Sequence, residues 1–174
     1  MDFGPPELEE MPQSQYCWNI LKMIIIWSAS VFSSYLILFQ LKYFKGNIYK
    51  NTKSFAISDG FAKIFGGIIY TYFGIMKSFL ITFFISLSGV AGVYCVQADL
   101  IDFQHLHFNY LNIRLTPENV MPCLTMITKF GIAATNLACY SASFTDDRIF
   151  PSRKRATATA ICNIIARSLA VFAP

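Results

Sequence analysis

Two basic residues stand where a membrane-spanning helix tolerates charge least. Lys129 and Arg167 each lie inside an apolar run near the end of the 174-residue chain. A charge at the centre of a bilayer costs about 2.5 kcal/mol or more, and such residues almost always face a bundle interior or a watery cavity. Counted from Ala156, Arg167 comes about 16 Å into its run, near the midplane. The two cations therefore predict a path or pocket for a polar solute.

Polar residues recur at helical spacing around both cations. One face of the first helix carries, in steps of four and three, Lys129, Ala133, Asn136, Tyr140 and Ser143. One face of the next carries, in steps of four, Thr159, Asn163 and Arg167. A single polar stripe on an apolar helix is expected where one face meets protein or water and the rest meets lipid or packed helices. The stripes thus predict the lining of a binding site.

The composition is that of an integral membrane protein. Hydrophobic residues make up 55% of the chain and charged residues only 14%, which is too apolar for an ordinary soluble domain. The net charge of +4 is small, and the basic residues lie in connecting segments, so nucleic-acid binding is not supported. The chain shows no carboxylate pair, nucleophile elbow or phosphate loop, and we predict neither an enzyme nor a cofactor.

The residue types that bind metals lack a useful spacing. The chain has five cysteines, and their positions show neither disulfide nor metal spacing: Cys17, Cys95, Cys123, Cys139 and Cys162. Four of them lie in or near apolar spans, and we expect those four to pack. His105 and His107 do not face one way on a helix, and no Cys or carboxylate completes a ligand set. No metal site is predicted.

The pattern of apolar runs predicts an all-α fold, a multi-pass transmembrane helix bundle with five spans. About twenty residues at 1.5 Å each cross a hydrocarbon core of about 30 Å. The predicted spans are residues 18–41, 55–73, 79–98, 120–144 and 156–174. The polar, acidic residues 1–17 are predicted to be a disordered tail, and a basic loop is predicted from Lys42 to Ser54.

The second predicted span contains two charges of opposite sign. Asp59 and Lys63 are spaced i, i+4, so they can pair and offset part of each other's desolvation cost. After this span, residues 74–78 leave room only for a tight hairpin, which forces the second and third helices to run antiparallel.

The last fifty residues also carry a series of short motifs. They are Lys129-Phe130-Gly131-Ile132-Ala133-Ala134, Tyr140, Asp146 or Asp147, Phe150-Pro151-Ser152, Arg155, Cys162-Asn163, Ala166-Arg167 and Ala173-Pro174. This series resembles the tenth and eleventh helices of major facilitator superfamily transporters, in the organic cation and organic anion branch. Pro151 and Arg155 keep that branch's step of four residues from proline to arginine, while Asp147 sits one residue further from the proline than the family's acid.

The resemblance extends more faintly towards the start of the chain. Gly46-Asn47-Ile48-Tyr49 is similar to a loop after the family's seventh helix, and Gly74 and Lys77 are what is kept of its basic hairpin between helices eight and nine. The resemblance covers roughly residues 22–174 and implies that the five spans are helices seven to eleven of twelve, an incomplete C-terminal half. Lys and Arg counts of five against five give no orientation, so the resemblance alone places the tail in the cytoplasm.

The resemblance implies transmembrane transport of small organic ions by alternating access, as a fragment of a larger transporter in the plasma membrane. The missing N-terminal half, the lipid bilayer and the organic ion are then the partners. Anion-transporting members carry an arginine at the position of Arg167, where cation transporters tend to place an acid, so an anion is favoured. Lys129 would be a second positive contact, with a polar or stacking lining of Asn136, Tyr140 and Asn163.

The charged turn before the last span is implied to have a separate role. By the same resemblance, a cytoplasmic gate of charge pairs would comprise Asp147, Arg153 and Arg155. A different interpretation stays open: a non-transporting multi-pass membrane protein that serves a partner or scaffold, or an inactive truncated gene product. The odd number of spans, the altered hairpin and the missing half favour that alternative.

Overall fold

The computed structural model describes residues 12–100 and 117–172, and these residues form helices and turns with no strand. The helices are α1 (Gln13–Gln40), a short 3-10 turn (Leu41–Tyr43), α2 (Ile48–Gln97), α3 (Pro117–Thr145) and α4 (Arg155–Ala170). The all-α prediction is confirmed for this part of the chain. His105 and His107 lie outside the described residues.

Helix α2 is interrupted at Gly74, whose φ of 71° and ψ of 179° are not helical. Such a backbone conformation is open to glycine because it has no Cβ. We name residues 48–73 the first limb and residues 75–97 the second limb. The interruption lies where the sequence predicts a hairpin.

The contacts of the two limbs with α3 show that they run in opposite directions. In the first limb, the Ser58 hydroxyl donates to the Met126 carbonyl at 2.6 Å, and the Tyr70 hydroxyl lies 2.8 Å from the Thr145 hydroxyl. Since both partners advance along the chain together, the first limb and α3 run in the same direction. In the second limb, the Thr82 hydroxyl accepts a hydrogen bond from the Thr135 hydroxyl at 2.9 Å. The second limb ends near the start of the first, where the Gln97 amide donates to the Tyr43 carbonyl at 3.2 Å. Helix α2 is therefore folded back on itself.

Small residues let α3 approach the second limb closely. A Cβ added at Gly131 would lie 2.5 Å from the backbone nitrogen of Ser86, and one added at Gly89 would lie 2.6 Å from that of Thr128. Close backbone approach at small residues is the usual way in which helices associate in lipid, where no hydrophobic force drives them together. This packing fixes the direction in which the polar stripe of α3 points.

Helix α4 packs against α1 and the end of α3. The buried cluster between them consists of Met23, Trp27, Cys139, Ala142, Phe150, Ala158, Cys162 and Ala166. At one edge the Asn19 amide donates to the carbonyls of Arg148 and Ile149, at 3.3 and 3.2 Å, and so ties α1 to the turn that precedes α4. The small residues at every fourth position of α4, Ala158, Cys162 and Ala166, are buried. Its stripe of Asn163 and Arg167 is thereby held beside α1 and α3.

Three helices of the described residues are long and apolar enough to cross a membrane: Gln13–Tyr43, Ile48–Gln97 and Glu118–Thr145. The first begins inside the predicted tail, since residues 13–17 are helical. The second begins at Ile48, so the loop predicted from Lys42 to Ser54 is shorter than expected. The reason is an N-cap, because the Asn47 side chain accepts a hydrogen bond from the Tyr49 backbone N–H at 2.9 Å.

Candidate functional site

A cavity of about 410 Å³ lies between α1, the first limb, α3 and α4. Its lining combines aromatic, amide and charged groups: Trp27, Val31, Ser34, Tyr35, Asp59, Lys63, Ala133, Asn136, Leu137, Tyr140, Asn163 and Arg167. Small-molecule sites in proteins have volumes of about 300 to 1,000 Å³ and a few convergent polar groups. The cavity has the size and the mixed lining of such a site.

Four residues predicted for the site line this cavity. Asn136 and Tyr140 come from α3, and Asn163 and Arg167 come from α4. Each pair is spaced i, i+4, which places both side chains on one helix face. The two polar stripes of the sequence therefore do meet at one cavity. Ser143 does not take part, because its hydroxyl is buried and donates to the Cys139 carbonyl at 2.8 Å.

The fifth predicted residue, Lys129, lies behind the lining and is only 7% exposed. Its ammonium lies 3.2 Å from an Asp59 carboxylate oxygen and donates to the Ser34 hydroxyl at 2.7 Å. The same nitrogen is 4.5 Å from the centroid of the Phe55 ring, at cation–π distance. Lys129 is thus enclosed by partners from α1 and the first limb, while both Ser34 and Asp59 reach the cavity.

Asp59 pairs with two lysines. One carboxylate oxygen lies 3.0 Å from the Lys63 ammonium, one turn along the same limb, and the other faces Lys129. The pairing with Lys63 is the one that the i, i+4 spacing predicts. The helical spacing does not predict the pairing with Lys129. Its signal in the sequence is that Asp59 is the one acidic residue within the five predicted spans.

Arg167 lies in a different setting. Arg167 is exposed, and its Nε donates to the side-chain amide oxygen of Asn163 at 3.0 Å. Among the described residues it makes no ion pair. Three cations and one carboxylate belong to the cavity and the layer behind it: Lys63, Lys129, Arg167 and Asp59. Together these three positive charges and one negative charge give a formal net charge of +2.

One wall of the cavity is aromatic. The rings of Trp27 and Tyr140 meet edge to face, with centroids 4.6 Å apart and planes at 75°. Beside them, the Asn136 amide oxygen is buried and has no hydrogen-bond partner in the described part of the chain. A buried acceptor without a partner costs stability unless a donor reaches it. The arrangement offers a cation, an amide and an aromatic surface to one bound molecule.

The turn between α3 and α4 carries the residues predicted for a gate. Arg155 forms an ion pair with Asp147, and its Nη1 donates to the Phe144 carbonyl at 2.5 Å, near the end of α3. Arg153 is exposed and forms no ion pair within the described ranges. Two of the three predicted residues are therefore in contact, and none of the three lines the cavity.

In comparisons with known proteins, no protein-family model, curated protein or solved structure matches the chain.

Proposed function

We propose that this chain is part of a multi-pass membrane transporter for small organic anions. The observation that carries the proposal is the 410 Å³ cavity with an exposed arginine that has no carboxylate partner among the described residues. Guanidinium groups bind carboxylates and related anions through two parallel hydrogen bonds, which makes arginine suited to this role. The excess of positive charge around the cavity favours an anion over a cation.

The transmembrane part of the proposal has five spans. Each limb of α2 is at least about as long as the twenty residues that cross a bilayer, and the reversal at Gly74 supports counting the limbs as two crossings. Helix α4, with 16 residues, would be the fifth. By the resemblance to a major facilitator transporter, these five spans would be helices seven to eleven, and the plasma membrane would be their location.

The mechanism in the proposal is alternating access together with a second half of the transporter. In such proteins the substrate binds near the midplane between two halves, and one half rocks against the other. Arg167 would bind the anionic group, while Asn136 and Asn163 supply amide contacts. The edge-to-face pair of Trp27 and Tyr140 would contact the apolar body of the substrate.

The test is equilibrium binding of radiolabelled benzoate to the purified chain in nanodiscs of zwitterionic lipid. Benzyltrimethylammonium, a cation of similar size, serves as the second probe. We expect saturable benzoate binding that Arg167→Ala weakens at least about tenfold, because a charge-assisted hydrogen bond is lost. The control is Arg148→Ala, since Arg148 is also exposed but lies outside the cavity.

Absence of saturable benzoate binding would contradict the proposal, and so would either of two further results. One is benzoate binding that is equal in wild type and Arg167→Ala, and the other is tighter binding of the cation than of benzoate by the wild type. Size-exclusion chromatography and circular dichroism show whether each variant is folded.

A further inference from the structure

Asp59 is the acidic residue of a cavity that otherwise carries cations. Its side chain is 35% exposed and lines the cavity, while the side chain of its partner Lys129 is 9% exposed. Its other partner, Lys63, has a side chain that is 69% exposed. The carboxylate therefore stands between an enclosed ammonium and an open one.

The enclosed ammonium is fixed from several sides. Ser34 on α1 accepts its hydrogen bond, and the Phe55 ring lies within cation–π distance. These neutral groups hold the position of Lys129 but leave its charge uncompensated. Asp59 supplies the compensating charge, and it does so from the cavity side.

We propose that Asp59 is a specificity-determining residue of the cavity: its carboxylate is a built-in counter-anion that neutralises Lys129 and sets the net charge that an entering organic anion meets. This inference rests on the proposed function and deepens it. An entering anion competes with Asp59 for the exposed Lys63 and meets Arg167 without competition. Lys129 is then a positioning residue, which acts on the substrate through Asp59.

The inference predicts an order of affinities in a series of variants that differ in charge. Counting the four charged residues named above, the wild-type region carries +2, Asp59→Asn carries +3, Lys129→Gln carries +1, and the double variant returns to +2. Asp59→Asn should bind benzoate about tenfold more tightly than the wild type, and Lys129→Gln about tenfold more weakly, because one unit charge at cavity distance is changed in each case. The double variant should lie between the two single variants.

Binding of benzyltrimethylammonium should move in the opposite direction across the same series. If the ion pair had only a structural role, the variants would instead have a lower folded fraction. The benzoate affinity of the folded protein would then not follow the net charge of the variants. The measurements are made on the purified chain in zwitterionic nanodiscs, at two salt concentrations, since raising the salt should compress the differences between variants.

The result that overturns the inference is a benzoate affinity for folded Asp59→Asn that equals or falls below that of the wild type. If Asp59→Asn alone does not fold, the double variant decides. It must then bind benzoate more tightly than Lys129→Gln, because the negative charge of Asp59 has been removed, and equal or weaker binding overturns the inference.

The two proposals can fail separately. If benzoate binding by the wild type depends on Arg167, but the affinity does not change across the Asp59 and Lys129 variants, only the inference is defeated. Wild-type binding that does not depend on Arg167, or no binding at all, defeats the proposed function and the inference with it.

Discussion

The two cations from which the site was predicted occupy opposite kinds of environment. Lys129 on α3 is enclosed, paired with Asp59 and bonded to Ser34, in a region where helices touch backbone to backbone. Arg167 on α4 is exposed and bonded to an amide of its own helix. Arg167 lines the cavity and Lys129 lies behind its lining, so one cation faces open space and the other is part of the packed framework.

This difference separates two reasons for placing a charge in an apolar helix. An ion pair with one enclosed partner joins neighbouring helices and is costly to break from the open side, since the enclosed charge loses its compensation. An exposed cation beside a cavity contributes little to stability and is available to a ligand. The residues of the first kind should show their effects in unfolding measurements, and those of the second kind in binding measurements.

The largest expected difference in stability is between Lys129→Met and Arg167→Met. Lys129→Met removes the ammonium from Asp59 and Ser34, and we expect the free energy of unfolding to fall by about 2 kcal/mol. The loss is limited because Lys63 still pairs with Asp59. Thermal unfolding of the detergent-solubilised chain, followed by circular dichroism, measures the difference.

Arg167→Met is the matched control for that comparison. It replaces a cation by the same apolar side chain but breaks only one hydrogen bond within α4. We expect its midpoint temperature to stay close to that of the wild type. Equal loss of stability in both variants would remove the distinction between the enclosed and the exposed cation.

A smaller effect is expected at the turn between α3 and α4. Arg155→Ala removes the ion pair with Asp147 and the hydrogen bond to the Phe144 carbonyl, and should cost about 0.5 to 1 kcal/mol. Arg153→Ala should change the midpoint by less, because Arg153 is exposed and forms no ion pair among the described residues. The same thermal measurement checks both, and a larger loss for Arg153→Ala would be incompatible with the contacts of this turn.

Much of the cavity could be predicted from local spacing. The i, i+4 rule brings Asn136 together with Tyr140, and Asn163 together with Arg167, whatever the rest of the chain does. Glycine at position 74 within a short polar interruption is a turn signal, and the structure has a positive φ there. These features depend on a few neighbouring residues, which is why the sequence reveals them.

The partners of Lys129 could not be predicted in the same way. Asp59 is seventy residues away in the chain, and its local partner Lys63 already satisfies the pairing rule, so nothing in the spacing points to α3. Trp27 and Ser34 reach the cavity because α1 packs against α3 and α4, which periodicity does not encode. The start of α2 at Ile48 depends on the cap formed by Asn47, which outweighs the polar composition of the segment.

The central claim, that α4 turns its polar stripe to a water-filled cavity, is tested most directly by thiol labelling. Arg167→Cys and Leu169→Cys are made in a background in which the cysteines that are not buried, Cys17, Cys95 and Cys123, are replaced by serine. Leu169 is exposed but does not line the cavity, because it lies about 200° around the helix from Arg167. In membranes opened by freezing and thawing, a charged methanethiosulfonate reagent should modify residue 167 at least about tenfold faster than residue 169, since in the proposed transmembrane arrangement only the cavity face of α4 meets water. Equal rates, or faster modification at residue 169, would contradict the account.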